Sequence, residues 1–335
     1  MANIVPTKRC NLRCTHCMRS EYQGEDMDLE LLERFLTEYK TLVKQRRQCL
    51  TGGEPTVYRD LDGLMRVFRK TGMSNYVVTN AQSARGVEAV IRNRDVVDWV
   101  SISLEGPTAE VNDPIRGSGS FAKVLQAVRT YQANKMEVDL RMVLHDANAP
   151  YVGQVFELAS ELHIERLRFS TLHAVEKALG SHMGASPENL DRARQDIGLL
   201  GKKYPSIRVG FNTRHMIPYT APGWSPERCV PIHGPLNGIT LLPDGKVSFC
   251  CDVYDLDFPD ERYMGENEAF NPIVGDYTRE PLTVIAERKR ILIEELKHRR
   301  SQDAAQGNLQ QGRQYICENC KFYFYRDDSP SSRNS

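Results

Sequence analysis

The first half of the chain alternates predicted strands, loops and helices, and this repeat restricts the fold more than any other feature. The predicted strands cover residues 2–6, 48–50, 75–78, 99–104, 137–144 and 166–170. The predicted helices cover residues 29–46, 61–70, 87–94, 121–134 and 155–162. This succession favours an α/β fold with a parallel sheet, closed or partly closed, and helices outside it. In such barrels the chemistry lies in the loops that follow the carboxyl ends of the strands.

The pattern changes after residue 185. A helix over residues 187–203 and a strand over 207–211 follow, and two β-type runs, 238–242 and 246–250, then flank an Asp-Gly turn that predicts a hairpin. We therefore expect a barrel domain over residues 1–214. A small domain of β-hairpin and helix over residues 215–328 and a polar tail over 329–335 are expected to follow it.

The charge balance and the cysteine content limit the functional classes. Lys plus Arg and Asp plus Glu number 44 each among 335 residues, so no net field attracts the protein to nucleic acid or a membrane. No apolar run is long enough to span a bilayer and no signal-peptide pattern begins the chain, which favours the cytoplasm. Disulfides are rare there, so the nine cysteines suggest metal binding.

Three of these cysteines, Cys10, Cys14 and Cys17, have the spacing C-x3-C-x2-C. Four thiolates close a [4Fe–4S] cube, whereas three leave one iron open to another ligand. A zinc site is an alternative, but zinc normally takes a fourth ligand, and His16 is poorly placed to serve. A redox C-x2-C pair is a second alternative, which would leave Cys10 unexplained.

This cysteine motif resembles that of the radical S-adenosylmethionine superfamily. The resemblance implies a partial (β/α)6 TIM-like barrel and a site-differentiated [4Fe–4S] cluster whose open iron chelates S-adenosylmethionine. Reductive cleavage of that cofactor to a 5′-deoxyadenosyl radical, with a flavodoxin- or ferredoxin-type protein as reductant, is implied as well. His16 occupies a position that is usually aromatic in the family and would pack near the adenine.

Further segments extend the resemblance. Gly52-Gly53-Glu54-Pro55 matches the family's GGEP motif, in which the glycines let the backbone approach the cofactor. Glu54 or nearby carbonyl groups would accept hydrogen bonds from the methionine ammonium group. Asn80, which follows the third strand, resembles a family position near the cofactor.

The next two strands supply three candidates for binding the cofactor carboxylate. Ser103 and Arg116 lie in a stretch that resembles another signature of the family, and Arg141 lies on the fifth strand. A guanidinium group pairs well with a carboxylate. For each arginine a structural ion pair is the alternative, and Arg116 in particular would hold a surface loop.

The later cysteines resemble those of a Twitch domain, a shortened SPASM domain that binds auxiliary clusters. Cys229, Cys250, Cys317 and Cys320 would saturate one auxiliary [4Fe–4S] cluster, and no cysteine follows for a second. A structural zinc site with the same four thiolates is the alternative. With four thiolate ligands the cluster has no open iron, so electron transfer is its natural role.

Two cysteines remain outside these sets. Cys49 lies in a predicted buried strand and is interpreted as a core residue. Cys251 follows Cys250 on an extended run, where neighbouring side chains point in opposite directions. We interpret Cys251 as core filler, a substitute ligand, or a thiol that donates a hydrogen atom to a substrate radical, as in radical epimerases of the superfamily.

The resemblance implies hydrogen abstraction from an unactivated C–H bond of a polar small molecule, such as an aminocyclitol or sugar, or of a peptide. An oxidation would use the auxiliary cluster as electron acceptor and His145, His173, His233 or a nearby carboxylate as base. Redox-neutral epimerisation through Cys251 is the alternative, and a cluster-binding scaffold is the alternative outside enzymes. A peptide-modifying enzyme would need a separate leader-binding protein, because the cluster motif begins within ten residues of the N-terminus.

Overall fold

The computed structural model describes residues 1–17, 23–171, 186–212, 231, 233–251 and 272–305. The chain divides into two compact units, Ile4–Asn212 and Met1–Asn3 together with Thr213–Ser335. Cys229, Cys317, Cys320 and His173 lie outside the described residues. That the second unit is an auxiliary-cluster domain stays a prediction.

The first unit is built on a parallel sheet. Its strands are β1 (Asn3–Ile4, shared with the other unit), β2 (Arg47–Leu50), β3 (Ser74–Thr79), β4 (Val97–Ser103), β5 (Val138–Leu144), β6 (Arg166–Thr171) and β7 (Arg208–Asn212). Strands β2 to β7 pair in chain order, each parallel to the next. The carbonyl of Ile4 accepts a hydrogen bond of 3.0 Å from the Thr51 N–H, next to the end of β2. The predicted α/β barrel-type fold is confirmed.

Helices connect these strands. They are α1 (Leu29–Leu42), α2 (Leu61–Thr71), α3 (Ala84–Arg92), α4 (Ala109–Arg116), α5 (Ser120–Ala133), α6 (Val152–Glu161) and α7 (Pro187–Lys203). Each βα connection returns the chain to the same end of the sheet, as parallel pairing requires. The carboxyl ends of the strands therefore share one edge.

Helix α1 begins where its capping residue predicts and ends earlier than expected. The Asp28 carboxylate accepts hydrogen bonds from the N–H groups of Glu30 and Leu31 at its start. The predicted end at residue 46 is wrong, because Val43 is already extended. The Arg46 guanidinium instead turns back and donates to the carbonyls of Lys40 and Val43, so it satisfies acceptors that the helix end leaves open.

Two further differences concern the extent of the repeat. Helix α4 was not expected, since Pro114 and the flanking glycines conceal it; Asp113 precedes this proline and Arg116 ends the helix. Strand β7, placed after the change of pattern at residue 185, pairs parallel to β6. The alternation therefore continues for one more unit than the sequence suggested.

Part of the core is an aromatic cluster on the middle strands. Cys49, Tyr76 and Trp99 pack together and are buried, which confirms the interpretation of Cys49. The Tyr76 and Trp99 rings stack at 4.3 Å between centroids. The guanidinium groups of Arg47 and Arg166 lie 4.7 and 5.0 Å from the centroid of the indole ring, within the range of cation–π attraction.

The second unit contains the predicted hairpin. Strands β8 (Thr240–Leu241) and β9 (Lys246–Ser248) pair antiparallel, and β10 (Ile273–Asp276), which was not expected, pairs antiparallel with β9. Helix α8 (Leu282–Ala305) follows. Among the described residues, no helix combines the length and the apolar character needed to cross a membrane.

Candidate functional site

The three N-terminal cysteines lie on one loop that follows β1. The loop is fixed at two points, where Thr15 N–H donates to the Ile115 carbonyl at 3.0 Å and Cys17 N–H donates to the Cys14 carbonyl at 3.2 Å. The side chains of Cys10, Cys14 and Cys17 are close enough to affect one another electrostatically. The fold therefore keeps the three cysteines of the motif near one another on one loop.

Burial controls the protonation of these thiols. It raises the pKa of Cys14 to about 11 and raises that of Cys10, while the nearby Arg116 guanidinium acts in the opposite direction on both. Without metal these two thiols hold their protons at neutral pH. Metal binding displaces such protons, because the ligand is the thiolate.

Two glycines allow the loop bearing the cysteines to pack against the turn after β2. Gly53 N–H donates to the Thr7 carbonyl at 3.1 Å and Glu54 N–H to the Arg9 carbonyl at 2.8 Å. A Cβ on Gly53 would lie 2.0 Å from the Arg9 carbonyl oxygen, and Gly52 has a φ of +124°. The glycines are thus needed for contact between two backbone segments of this chain, a reason that the sequence does not reveal.

Glu54 is the centre of a hydrogen-bond network at this turn. Its Oε1 accepts from the Oγ1 of Thr56 and of Thr79, both at 2.6 Å, and its Oε2 accepts from the Asn80 N–H at 2.7 Å. Pro55, buried at the start of a single 3-10 turn, follows it. With its carboxylate engaged in this way, Glu54 organises the turn.

Asn80 connects this network to the cysteine loop. Its Nδ2 donates to Asn11 Oδ1 at 2.8 Å and lies 3.8 Å from Cys10 Sγ. A side-chain amide that approaches a ligand sulfur is one of the groups that tune an iron–sulfur centre. The structure thus places Asn80 beside the first cysteine.

A second buried carboxylate, Glu105, lies on the other side of the loop. Its Oε1 accepts a 2.9 Å hydrogen bond from Arg116 Nη1 and lies 3.5 Å from His16 Nε2. Its Oε2 accepts from the Val143 N–H at 2.8 Å. Arg116 therefore forms the structural ion pair that was its alternative role, and through Glu105 it also fixes His16.

Glu105 was not among the predicted site residues. It lies two residues after the end of β4 and precedes Gly106, so an acidic residue just beyond the carboxyl end of a barrel strand was the available signal. Its partners Arg116 and Val143 are distant in the sequence, and only the fold brings them to it.

His145 lies next to this carboxylate and is completely buried. Its ring is 6.3 Å from that of His16 and stacked on it. Neither ring nitrogen has a hydrogen-bond partner within the described part of the chain. Burial lowers its pKa, against the opposing charges of Glu105 and Asp146. In this conformation a substrate does not reach His145, which weakens its candidacy as a base.

Arg141 differs from the other arginines of the sheet. It lies opposite Ser103 on β4 and Arg168 on β6 in the strand register. Arg168 is paired with Asp139, whereas Arg141 has neither an ion pair nor a side-chain hydrogen bond to any residue that the structure describes, and its Nε is buried. This guanidinium and the adjacent Ser103 are therefore available to an anionic group.

The donor set fits the cluster that the motif implies. Within the described ranges, no three His, Cys, Asp or Glu side chains converge on a point that would hold one metal ion. The thiolates of an iron–sulfur cube each bind a different iron and need no such convergence. The loop thus provides three cysteines, while Arg116 and Asn80, from other elements, bring a guanidinium and an amide close to Cys10.

In the second unit the structure describes Cys250, Cys251 and His233. Cys250 is buried, with 8% of its surface exposed, and Cys251 is partly exposed. The Cys250 carbonyl accepts a 3.1 Å hydrogen bond from Ser248 Oγ. His233 is exposed. One buried thiol beside a partly exposed one is consistent with different roles for the two neighbours.

Part of the chain matches a known protein family. Residues 4–159 match the model of the Radical SAM superfamily. Fe-coproporphyrin III synthase of Methanosarcina barkeri (strain Fusaro / DSM 804) is 30% identical over 201 residues, which are 58% of this chain and 49% of that protein. The match thus spans about half the length of that relative.

Two further similarities cover more of the chain. PqqA peptide cyclase of Rhodopseudomonas palustris (strain ATCC BAA-98 / CGA009) is 25% identical over 265 residues, 76% of this chain and 69% of that protein. The solved structure of native anSMEcpe with bound AdoMet has a TM-score of 0.66 at 17% identity and covers 88% of this chain and 83% of its own. That likeness concerns the fold alone. Residues 4–159 of this chain thus match the Radical SAM superfamily, and the fold has the parallel sheet of a partial TIM-type barrel.

Proposed function

We propose that this protein abstracts a hydrogen atom from an unactivated C–H bond of its substrate and oxidises the resulting substrate radical with the help of an auxiliary cluster. Bound together, the N-terminal [4Fe–4S] cluster and S-adenosylmethionine supply the abstracting 5′-deoxyadenosyl radical. The substrate radical then gives one electron to the auxiliary cluster and one proton to a base.

The observation that carries this proposal is the junction between the cysteine loop and the Gly52–Pro55 turn. Two backbone hydrogen bonds and the absence of a Cβ at Gly53 hold the turn against the loop. Cys10, Cys14 and Cys17 would hold three irons of the cube there. The same junction positions the carbonyls of the turn, which would accept from the cofactor's ammonium group.

The cofactor carboxylate would bind Arg141 and Ser103. These two residues are register neighbours on β5 and β4, and the Arg141 guanidinium has no ion-pair partner within the described ranges. Arg116 is less suited, since Glu105 already engages it. His16, fixed by the same Glu105, would pack against the adenine.

We further propose that Cys229, Cys250, Cys317 and Cys320 bind the auxiliary cluster. The support is the burial of Cys250 and the spacing of the other three in the sequence. Of the histidines proposed as base, His233 is exposed and His145 is buried, which favours His233 over His145.

A peptide is the favoured substrate class, and a polar small molecule of the aminocyclitol or sugar type is the alternative. The name of the PqqA peptide cyclase supports the first choice, whereas the name of the Fe-coproporphyrin III synthase shows that non-peptide chemistry occurs among the relatives. A flavodoxin- or ferredoxin-type protein is the proposed reductant. A separate leader-binding protein would accompany a peptide substrate.

Iron content and EPR of anaerobically reconstituted protein, with and without S-adenosylmethionine, test this proposal. We expect about eight irons per chain, with one of two signals shifting when the cofactor is added. Replacing Cys10, Cys14 and Cys17 together with Ala should remove about half of the iron and all cofactor cleavage. Cys49→Ala, which removes a buried thiol outside both sets, is the matched control and should keep both. Zinc in place of iron, or unchanged cleavage in the triple variant, would contradict the proposal.

Redox-neutral epimerisation is a second candidate, favoured by the partial exposure of Cys251 beside the buried Cys250. In that reaction the Cys251 thiol would give its hydrogen atom to the substrate radical, and the thiyl radical left on Cys251 would be returned to a thiol by one electron from the proposed reductant and one proton. Cys251→Ala would then keep both clusters and change the product. Unchanged products would exclude this role, and loss of auxiliary iron would identify Cys251 as a ligand instead.

A further inference from the structure

The side-chain amide of Asn80 has a fixed orientation beside the cysteine loop. Its Oδ1 accepts a 3.0 Å hydrogen bond from the Gln82 N–H, and its Nδ2 donates a 2.8 Å hydrogen bond to Asn11 Oδ1. The opposite orientation would bring two donors together at Gln82 and two oxygens together at Asn11, so these contacts decide which end of the amide carries the protons. The backbone is held as well, because the Asn80 N–H donates to Glu54 Oε2.

This orientation presents the amino end of the amide to Cys10. Nδ2 donates to Cys10 Sγ at 3.8 Å, and the Leu12 N–H donates to the same sulfur at 3.4 Å. The amide nitrogen has two protons, so it serves Asn11 and the sulfur at the same time. Cys10 Sγ is therefore the acceptor of two N–H groups, one from its own loop and one from the segment that follows β3.

These N–H groups have a physical consequence for a cluster bound through Cys10. One-electron reduction adds negative charge to an iron–sulfur cube and its thiolate ligands, and N–H dipoles directed at a sulfur stabilise that added charge. Hydrogen bonds to the sulfurs are accordingly among the factors that set the potential of such clusters. The effect is strengthened where water is excluded, and Asn80 is only 4% exposed. Its amide therefore favours the reduced form.

We propose that Asn80 raises the reduction potential of the N-terminal cluster through the Cys10 sulfur, so that this cluster takes up an electron from its reductant more readily. The inference rests on the proposed function, because it requires a cluster held by Cys10, Cys14 and Cys17. Asn80 and all three cysteines belong to the same compact unit. Asn80 is a positioning residue, since it acts through the sulfur and takes no part in bond making or breaking.

A redox titration followed by EPR, on holoenzyme without S-adenosylmethionine, tests the inference. The signal that shifts when the cofactor is added afterwards identifies the N-terminal cluster. Asn80→Leu removes the donor at similar side-chain size. It should move the midpoint potential of this cluster to more negative values, so that its reduced fraction at a fixed solution potential falls several-fold.

Asn80→Asp is a second variant, which keeps the shape of the side chain and the acceptor for the Gln82 N–H. It places an anionic oxygen beside the sulfur in place of an N–H, so it should move the potential further in the same direction. A purely structural role of Asn80 would not produce this order of potentials, native above leucine above aspartate, at full iron content.

Asn93→Leu is the matched control, since Asn93 is also a buried asparagine of this unit, 6% exposed, whose amide donates to Asp62 and the Ala89 carbonyl instead of a sulfur. It should leave the potential unchanged. The native potential in both Asn80 variants, at full iron content, would overturn the inference while the proposed function stands. An unchanged iron content in the triple cysteine variant would instead refute the proposed function.

Discussion

Two buried glutamates flank the cysteine loop, and the barrel stabilises them in different ways. Glu54 is surrounded by neutral donors, namely the hydroxyls of Thr56 and Thr79 and backbone N–H groups. Glu105 is paired with the guanidinium of Arg116. Both glutamates are 1% exposed, so burying either carboxylate without these partners would lower the stability of the fold.

The difference has a structural meaning. Glu54 ties together short segments next to the cysteine loop, and its charge remains to raise the pKa of Cys10. Glu105 and Arg116 form an ion pair that joins the loop after β4 to α4 and, through Val143, to β5. The first carboxylate shapes a turn, whereas the second connects separate elements of the barrel.

The largest effect should follow from breaking the charged pair. Arg116→Met leaves the Glu105 carboxylate buried without its cation and should lower the free energy of unfolding by about 3–5 kcal/mol. Urea unfolding of the reduced apoprotein measures this. The double variant Arg116→Met with Glu105→Gln should recover much of the loss, because the uncompensated charge is gone. No recovery would mean that Arg116 acts mainly through packing.

A smaller effect is expected when the hydrogen bonds that Glu54 accepts from neutral donors are disturbed. Glu54→Gln turns one acceptor into an N–H donor that faces the donors of Thr79 or Asn80, at a cost of about 1–3 kcal/mol. The same unfolding measurement applies, and the exposed Glu110→Gln is the matched control, with an expected change much smaller than that of Glu54→Gln. A loss equal to that of Arg116→Met would remove the proposed distinction between the two carboxylates.

The smallest effect concerns pH and His145. Burial lowers the pKa of this histidine below its ordinary value of 6.5. As the pH falls below 6.5, the unfolded chain binds a proton that the folded protein does not, so stability decreases, by at most about 1.4 kcal/mol per pH unit. His145→Leu should lack this component and show a shallower decrease between about pH 6.5 and about pH 5. An identical decrease in both proteins would show that other groups cause it.

The sequence by itself determined the succession of elements. Hydrophobic periodicity places the strands β2 to β6 and their connecting helices other than α4 to within a few residues, and the hairpin of β8 and β9 follows from its Asp-Gly turn. These features depend on residues near one another in the chain, and local geometry dictates them. For the same reason, the short spacing of Cys10, Cys14 and Cys17 places the three cysteines on one loop.

Only the tertiary structure decided how the site is held together. Glu105 has its arginine eleven residues away and a backbone donor 38 residues away, and Gly53 is needed because of a carbonyl in a distant loop. Arg141 has no ion pair with any residue in the described ranges, whereas its register neighbour Arg168 pairs with Asp139. Lys289 lies between two arginines in the sequence, yet it is completely buried in the fold. Such pairings depend on which elements pack together, and that information is spread over the whole chain.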